Sequence, residues 1–236
     1  MIAPVLIIIL IQGWTESGAW KESLLKKVLE SIPGVMVVVP DYLEPTARGK
    51  FSKFKTHLKV ENYAAVVATN YLHPVQKKYP NVPVMVVGHS LGGVIARFLC
   101  LKNYFPAKNM VLVGSPNKGI TYRTVGGTAG IVVMPILKLL ANKHLCNVPV
   151  LYQLSEGSEF LQELNKNGIP EDAYYISGAQ DKTVPLWSSD PHNIGMYAEC
   201  GHHLFPNEGK LAESSAIPIV EEIVKKRLET LKAASL

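Results

Sequence analysis

The chain has 236 residues, of which 47% are hydrophobic and 18% charged, and a formal net charge of +5. This length suits one domain with a sizeable core, and the composition excludes a disordered or fibrous protein. The Lys and Arg residues are scattered, with no basic stripe and interleaved aromatics to mark a nucleic-acid footprint, so weak attraction to an anionic lipid surface is the most the charge suggests.

Residues 5–11 form an unbroken aliphatic run suited to a strand buried on both faces. Residues 1–11 as a whole are apolar but lack the basic flank and small-residue cleavage site of a signal peptide. Trp20, Leu24, Leu25, Val28, Leu29 and Ile32 then recur with helical spacing, up to a stop at Pro33-Gly34. A second strand is expected over 35–39, and a helix over 58–72 that ends before Pro74. Residues 82–88 read as the third strand and 91–101 as a helix. Three more strands follow at 110–114, 174–178 and 194–199. A helix over 217–231 closes the chain, with Ile217, Val220, Ile223, Val224, Leu228 and Leu231 on its apolar face. Its basic end, Lys225-Lys226-Arg227, suits the helix dipole. Strands alternating with helices predict an α/β fold with a mostly parallel sheet and helices on both faces, as a single domain over 1–236.

Residues 117–148 break the alternation. They hold Gly126-Gly127-Thr128-Ala129-Gly130 and an apolar run, 131–137, too short to span a membrane. Either a cover over an apolar pocket or an ordinary packed excursion fits this stretch. Cys100, Cys146 and Cys200 are odd in number and lack metal-type spacing, so a reducing, cytoplasmic setting without a disulfide framework is expected. No metal cluster, phosphate loop or dinucleotide fingerprint stands out, and no cofactor or metal is expected.

Gly88-His89-Ser90-Leu91-Gly92 is a Gly-x-Ser-x-Gly sequence set between an apolar strand and a helix. A serine on so sharp a turn is held in a strained conformation with its hydroxyl exposed, and the glycines let neighbouring backbone approach. The helix N-terminus adds partial positive charge where an oxyanion would form. The alternative is a glycine-rich turn with a capping serine.

With this elbow the chain resembles the α/β-hydrolase family of serine lipases and esterases, most closely the compact lipases and the relatives of GPI inositol deacylases. Leu154-Ser155-Glu156-Gly157-Ser158-Glu159-Phe160-Leu161 is similar to a stretch of the same relatives, and reads as a capping serine before a short helix. The resemblance implies a trimmed hydrolase sheet of about six strands, with residues 117–148 where such enzymes insert a cap or lid. It also implies the order serine, acid, histidine. The nucleophile is then Ser90. The acid is Asp181, because Gly178-Ala179-Gln180-Asp181-Lys182-Thr183-Val184-Pro185 is similar to the family's acid loop; Asp190 competes. The base is His202, from the Gly201-His202 that follows the last strand, with the adjacent His203 as alternative. The oxyanion donors are the backbone amides of Leu91 and of Trp14, although relatives usually carry His-Gly where this chain has Gln12-Gly13. His89 is expected to pack or hydrogen-bond near the elbow.

These expectations add up to a carboxylic ester hydrolase, an esterase or lipase, whose small-molecule substrate carries a hydrophobic acyl chain. A thioesterase, amidase or acyltransferase on the same residues is the alternative, as is a hydrolase-like binding protein of low turnover. No residue speaks to the oligomeric state.

Overall fold

The computed structural model describes residues 3–13, 19–42, 58–121, 149–202 and 216–234. Trp14, His203 and residues 122–148 of the lid candidate lie outside them.

The six strands are β1 (Leu6–Ile11), β2 (Val35–Val38), β3 (Val84–His89), β4 (Met110–Val113), β5 (Tyr174–Gly178) and β6 (Met196–Ala198). They form one sheet in the order β2-β1-β3-β4-β5-β6, and every pairing is parallel. A parallel sheet needs helices over both faces, which is why its central strands are continuously aliphatic. All six residues of β1 are at most 1% exposed.

Alternation along β1 divides the core. Ile7, Ile9 and Ile11 pack with Tyr63 and Val67 of α2 (Val60–Val67) and with Val94 and Ile95 of α4 (Leu91–Leu101). Leu6, Ile8 and Leu10 pack with Leu25 and Leu29 of α1 (Leu24–Glu30) and with Val220, Ile223 and Val224 of α8 (Ile217–Ala233). Burying one such side chain contributes about 1.5–3 kcal/mol, so both halves are stabilised through the same strand. The crossover through α1 leads from β1 to β2, whereas β3 returns on the other side of β1. The carboxyl ends of β1 and β3 therefore flank a topological switch point, where sheets of this kind place ligands.

The structure shifts several expected boundaries. The first helical stretch begins as a 3₁₀ turn (Ala19–Glu22), and α1 starts only after Ser23, whose side chain accepts from Lys26 N–H. The helix expected to end before Pro74 instead continues. After α2 comes a π-helical turn (Ala68–Leu72), then α3 (His73–Lys78) with the proline in its first turn. The π turn closes with His73 N–H donating to Ala68 O. It opens the ladder ahead of the residue that lacks an N–H and would otherwise break it.

The sixth strand is shorter than 194–199. The Asp190 carboxylate takes the N–H groups of Ile194 (3.1 Å) and Gly195 (2.9 Å) and so withholds them from the ladder. Three short helices complete the described chain: α5 (Pro149–Gln153), α6 (Glu159–Leu164) and α7 (Leu186–Ser189). Ser158 caps α6 as expected, accepting from Leu161 N–H at 3.2 Å.

Candidate active site

Ser90 sits between β3 and α4 with φ 52° and ψ −121°. A non-glycine residue held there stores strain of order 1–3 kcal/mol, so the surroundings must hold it. They do so through backbone. Ser90 N–H donates to Val113 O of β4 at 2.9 Å, and Gly93 N–H donates to Ser90 O at 3.1 Å. Gly92 lies so close to the end of β1 that a Cβ there would fall on Ile11 O, with Gln12 O only 2.7 Å away. A Cβ on Gly88 would meet Gly92 O at 2.5 Å. The glycines of the motif are therefore required by close approach, and this approach brings the loop after β1 against the elbow.

Asp181 follows β5 and His202 follows β6, so both reach Ser90 from the carboxyl end of the sheet. His202 Nε2 lies 3.1 Å from Ser90 Oγ, and His202 Nδ1 lies 2.8 Å from Asp181 Oδ2. The other oxygen, Asp181 Oδ1, accepts from Thr183 N–H (2.8 Å) and Val184 N–H (2.9 Å). The carboxyl thus faces N–H donors on both oxygens, and its side chain is 1% exposed. It fixes the imidazole with Nδ1 as donor, which leaves Nε2 to accept from the serine hydroxyl. The arrangement can draw the hydroxyl proton onto an imidazole whose other side is held by an acceptor.

Asp190, the competing acid, is committed elsewhere. Besides Ile194 and Gly195 it accepts from the Tyr197 hydroxyl at 2.9 Å. Asp181→Asn is expected to lower kcat by about 10⁴-fold, because an amide no longer fixes the imidazole tautomer. Asp190→Asn is expected to leave kcat near that of the wild type and to cost about 1–3 kcal/mol in the melt. Steady-state kinetics beside thermal unfolding of the two variants checks both.

Leu91 is the first residue of α4, and its N–H belongs to the opening turn that finds no acceptor within the helix. It therefore points the start of the helix at the space beside Ser90. The loop after β1 is held by a contact that the sequence did not disclose. The Tyr42 hydroxyl donates to Gln12 O at 2.5 Å, and the Tyr42 ring packs edge-on against Tyr63, with centroids 5.5 Å apart. This tie holds the Gln12-Gly13 backbone at the carboxyl end of β1. Tyr42→Phe is expected to cost about 1 kcal/mol and to lower Tm by roughly 2–4 °C, readable by calorimetry.

A buried arginine braces the site. Arg97 of α4 is buried and donates to Asn117 O (3.1 Å) and to Asn165 Oδ1 (2.6 Å), which ties the elbow helix to the segment after β4. Burial lowers the Arg97 guanidinium to about 10, still well above neutral pH. Burial, with the Asp181 and Glu199 carboxylates adding to it, pushes the Cys200 thiol above its ordinary value. A raised thiol of this kind is less thiolate in character than an ordinary one.

Among the described residues no group of three or more His, Cys, Asp and Glu could hold a metal ion, and no helix is long and apolar enough to cross a membrane.

The parallel sheet and its strand-to-helix elbow define the class: an α/β-hydrolase fold. Residues 7–128, more than half of the chain, match the family model described as alpha/beta hydrolase fold, and the chain belongs to that family. Solved structures agree on the fold. The metagenome-derived lipolytic enzymes LipS and LipT match at 14% identity and a TM-score of 0.60, over 97% of this chain and 95% of that one. An extracellular alpha/beta-hydrolase from a Paenibacillus species matches at 14% identity and 0.56, over 94% and 98%. The Legionella pneumophila phospholipase PlaB is similar at 16% identity over 75% of this chain, which spans only 40% of PlaB's length, and its TM-score of 0.48 is too low to bear on the fold. No curated protein matches the sequence. The fold supports a hydrolase.

Proposed function

We propose that the protein is a serine hydrolase of carboxylic esters, an esterase or lipase acting through an acyl-enzyme. The observation that carries this reading is the continuous relay from Ser90 Oγ to His202 Nε2 (3.1 Å) and from His202 Nδ1 to Asp181 Oδ2 (2.8 Å), on a strained elbow at the switch point.

Ser90 Oγ attacks the ester carbonyl as its proton passes to His202 Nε2. The oxyanion forms at the start of α4, within reach of Leu91 N–H. A second donor, proposed as Trp14 N–H, completes the hole from the loop after β1. The C–O bond breaks, and His202 returns the proton to the departing alcohol. Water then attacks acyl-Ser90 with His202 again accepting a proton, the bond from the acyl carbon to Ser90 Oγ breaks, and His202 returns the proton to Oγ as the acid is released. Asp181 holds the ring and stabilises the imidazolium in both halves. Protein groups and water supply every step.

The substrate class proposed is a small-molecule ester with a hydrophobic acyl chain. Hydrolysis of nitrophenyl esters from short to long acyl chains tests it, with thioester and amide analogues beside them. Faster turnover of esters than of matched thioesters and amides supports it. A preference for the thioester or amide assigns the same three residues to that bond instead. A jump in rate when the substrate passes its solubility limit marks a lipase, and saturation below that limit marks an esterase.

A further inference from the structure

His89 precedes the serine and is 1% exposed, yet the chemistry above leaves it without a role. Its Nε2 lies 2.8 Å from the backbone carbonyl of His202, 113 residues away in the chain. A carbonyl only accepts, so Nε2 carries the proton and donates. The His89 ring stacks on Trp20 with centroids 5.9 Å apart and an interplanar angle of 23°. The His202 ring is also its neighbour, with centroids 5.1 Å apart and a tilt of 37°. Trp20 thus packs against His89, and His89 against His202.

The need for such a support follows from the topology. β6 is a three-residue edge strand that ends at Ala198, so its ladder does not reach His202. Besides a local bond from Cys200 N–H to Ala198 O at 2.8 Å, the 200–202 turn is held from two other elements. Gln180 N–H, from the acid loop, donates to Cys200 O at 3.0 Å. His89, from the elbow, donates to His202 O. The backbone of the base is therefore anchored from the same two elements, acid loop and elbow, that its ring must bridge.

We propose that His89 is a positioning residue. Its N–H holds the His202 backbone so that the His202 ring stays aligned between Ser90 and Asp181. This rests on the ester-hydrolase reading for its kinetic consequences, but not for its geometry. An error of about 1 Å in such a relay can cost about a hundredfold in rate, so a single hydrogen bond to the backbone of the base is enough to matter.

The test compares His89→Phe, which keeps an aromatic ring but no donor, with His89→Gln, whose amide can donate to the same carbonyl. Three readouts are taken: kcat and KM on a nitrophenyl ester, the rate of fluorophosphonate labelling, and the downfield proton NMR signal of the His202–Asp181 hydrogen bond. His89→Phe is expected to lower kcat and labelling by about ten- to a hundredfold at near-constant KM, and to broaden or lose the downfield signal. His89→Gln is expected to restore most of each. Should the Phe variant not fold, His89→Leu, smaller and also without a donor, replaces it.

Wild-type kcat and an unchanged signal in a folded variant without a donor overturn the proposal. So does a folded Gln variant as impaired as the Phe variant. A wild type that neither turns over nor labels defeats the hydrolase reading instead. In that case a downfield signal that needs a donor at position 89 still supports the positioning role, and one indifferent to it overturns that role too.

Discussion

Ser90→Ala and His202→Ala are each expected to lower kcat on an activated ester by roughly 10⁴- to 10⁶-fold, with little change in Tm. Ser90 Oγ and His202 Nε2 are 3.1 Å apart, and in the proposed attack they share one proton, so either deletion leaves the other without a task. The double variant should therefore be no slower than the worse single one, because groups that act as a unit do not add. On the proposed mechanism, whatever activity survives comes from the oxyanion donors and from binding. Kinetics of the three variants on one short-chain ester checks this. Independent, additive losses in the double variant would mean that the two side chains do not act together.

Gly92→Ala is expected to be the most damaging single-methyl change, at about 3 kcal/mol or more. The added Cβ falls on Ile11 O, with Ile11 C at 2.6 Å and Gln12 O at 2.7 Å. These are backbone atoms of β1 and its loop, so no side chain can swing aside. Either α4 lifts off the sheet or the strand end moves, and both displace the elbow. A fall in Tm of at least about 6 °C and a parallel loss of turnover are expected. Gly157 is the control. It has φ +72°, but a Cβ added there would meet nothing within 4 Å, so Gly157→Ala carries only the backbone penalty of about 1 kcal/mol. Thermal unfolding of both variants separates packing from conformation. A Gly92→Ala protein that melts with the wild type would contradict the close approach.

The parts of the fold that the sequence made legible are those governed by local pattern. Strands β1 and β3 are unbroken aliphatic runs because parallel strands are covered on both faces. Helix α4 has the bounds its pattern predicts, because Ser90 and the apolar spacing after it mark its start. Two of the boundaries that differ come from a nonlocal or unusual satisfaction of backbone groups. Pro74 ordinarily ends a helix, and here a π turn admits it. Residues 194–195 look like strand, but the Asp190 side chain takes their N–H groups.

The site shows the same division. Ser90 is legible from its strand-turn-helix context. Asp181 and His202 rest on resemblance to the family's acid and histidine loops, and the structure brings both to Ser90, with Asp190 engaged at the edge of β6. The ties from Tyr42 to Gln12 and from His89 to His202 join residues 30 and 113 apart, and no periodicity announces such contacts. They become visible only when the chain is folded.

The measurement that bears most directly on the proposed nucleophile is the intact mass of the folded protein after reaction with a fluorophosphonate, followed by peptide mapping. The expected result is a single phosphonyl adduct on Ser90, absent from Ser90→Ala and strongly slowed in His202→Ala. A folded wild type that gains no adduct, or gains one on another residue, would contradict a serine nucleophile at this elbow.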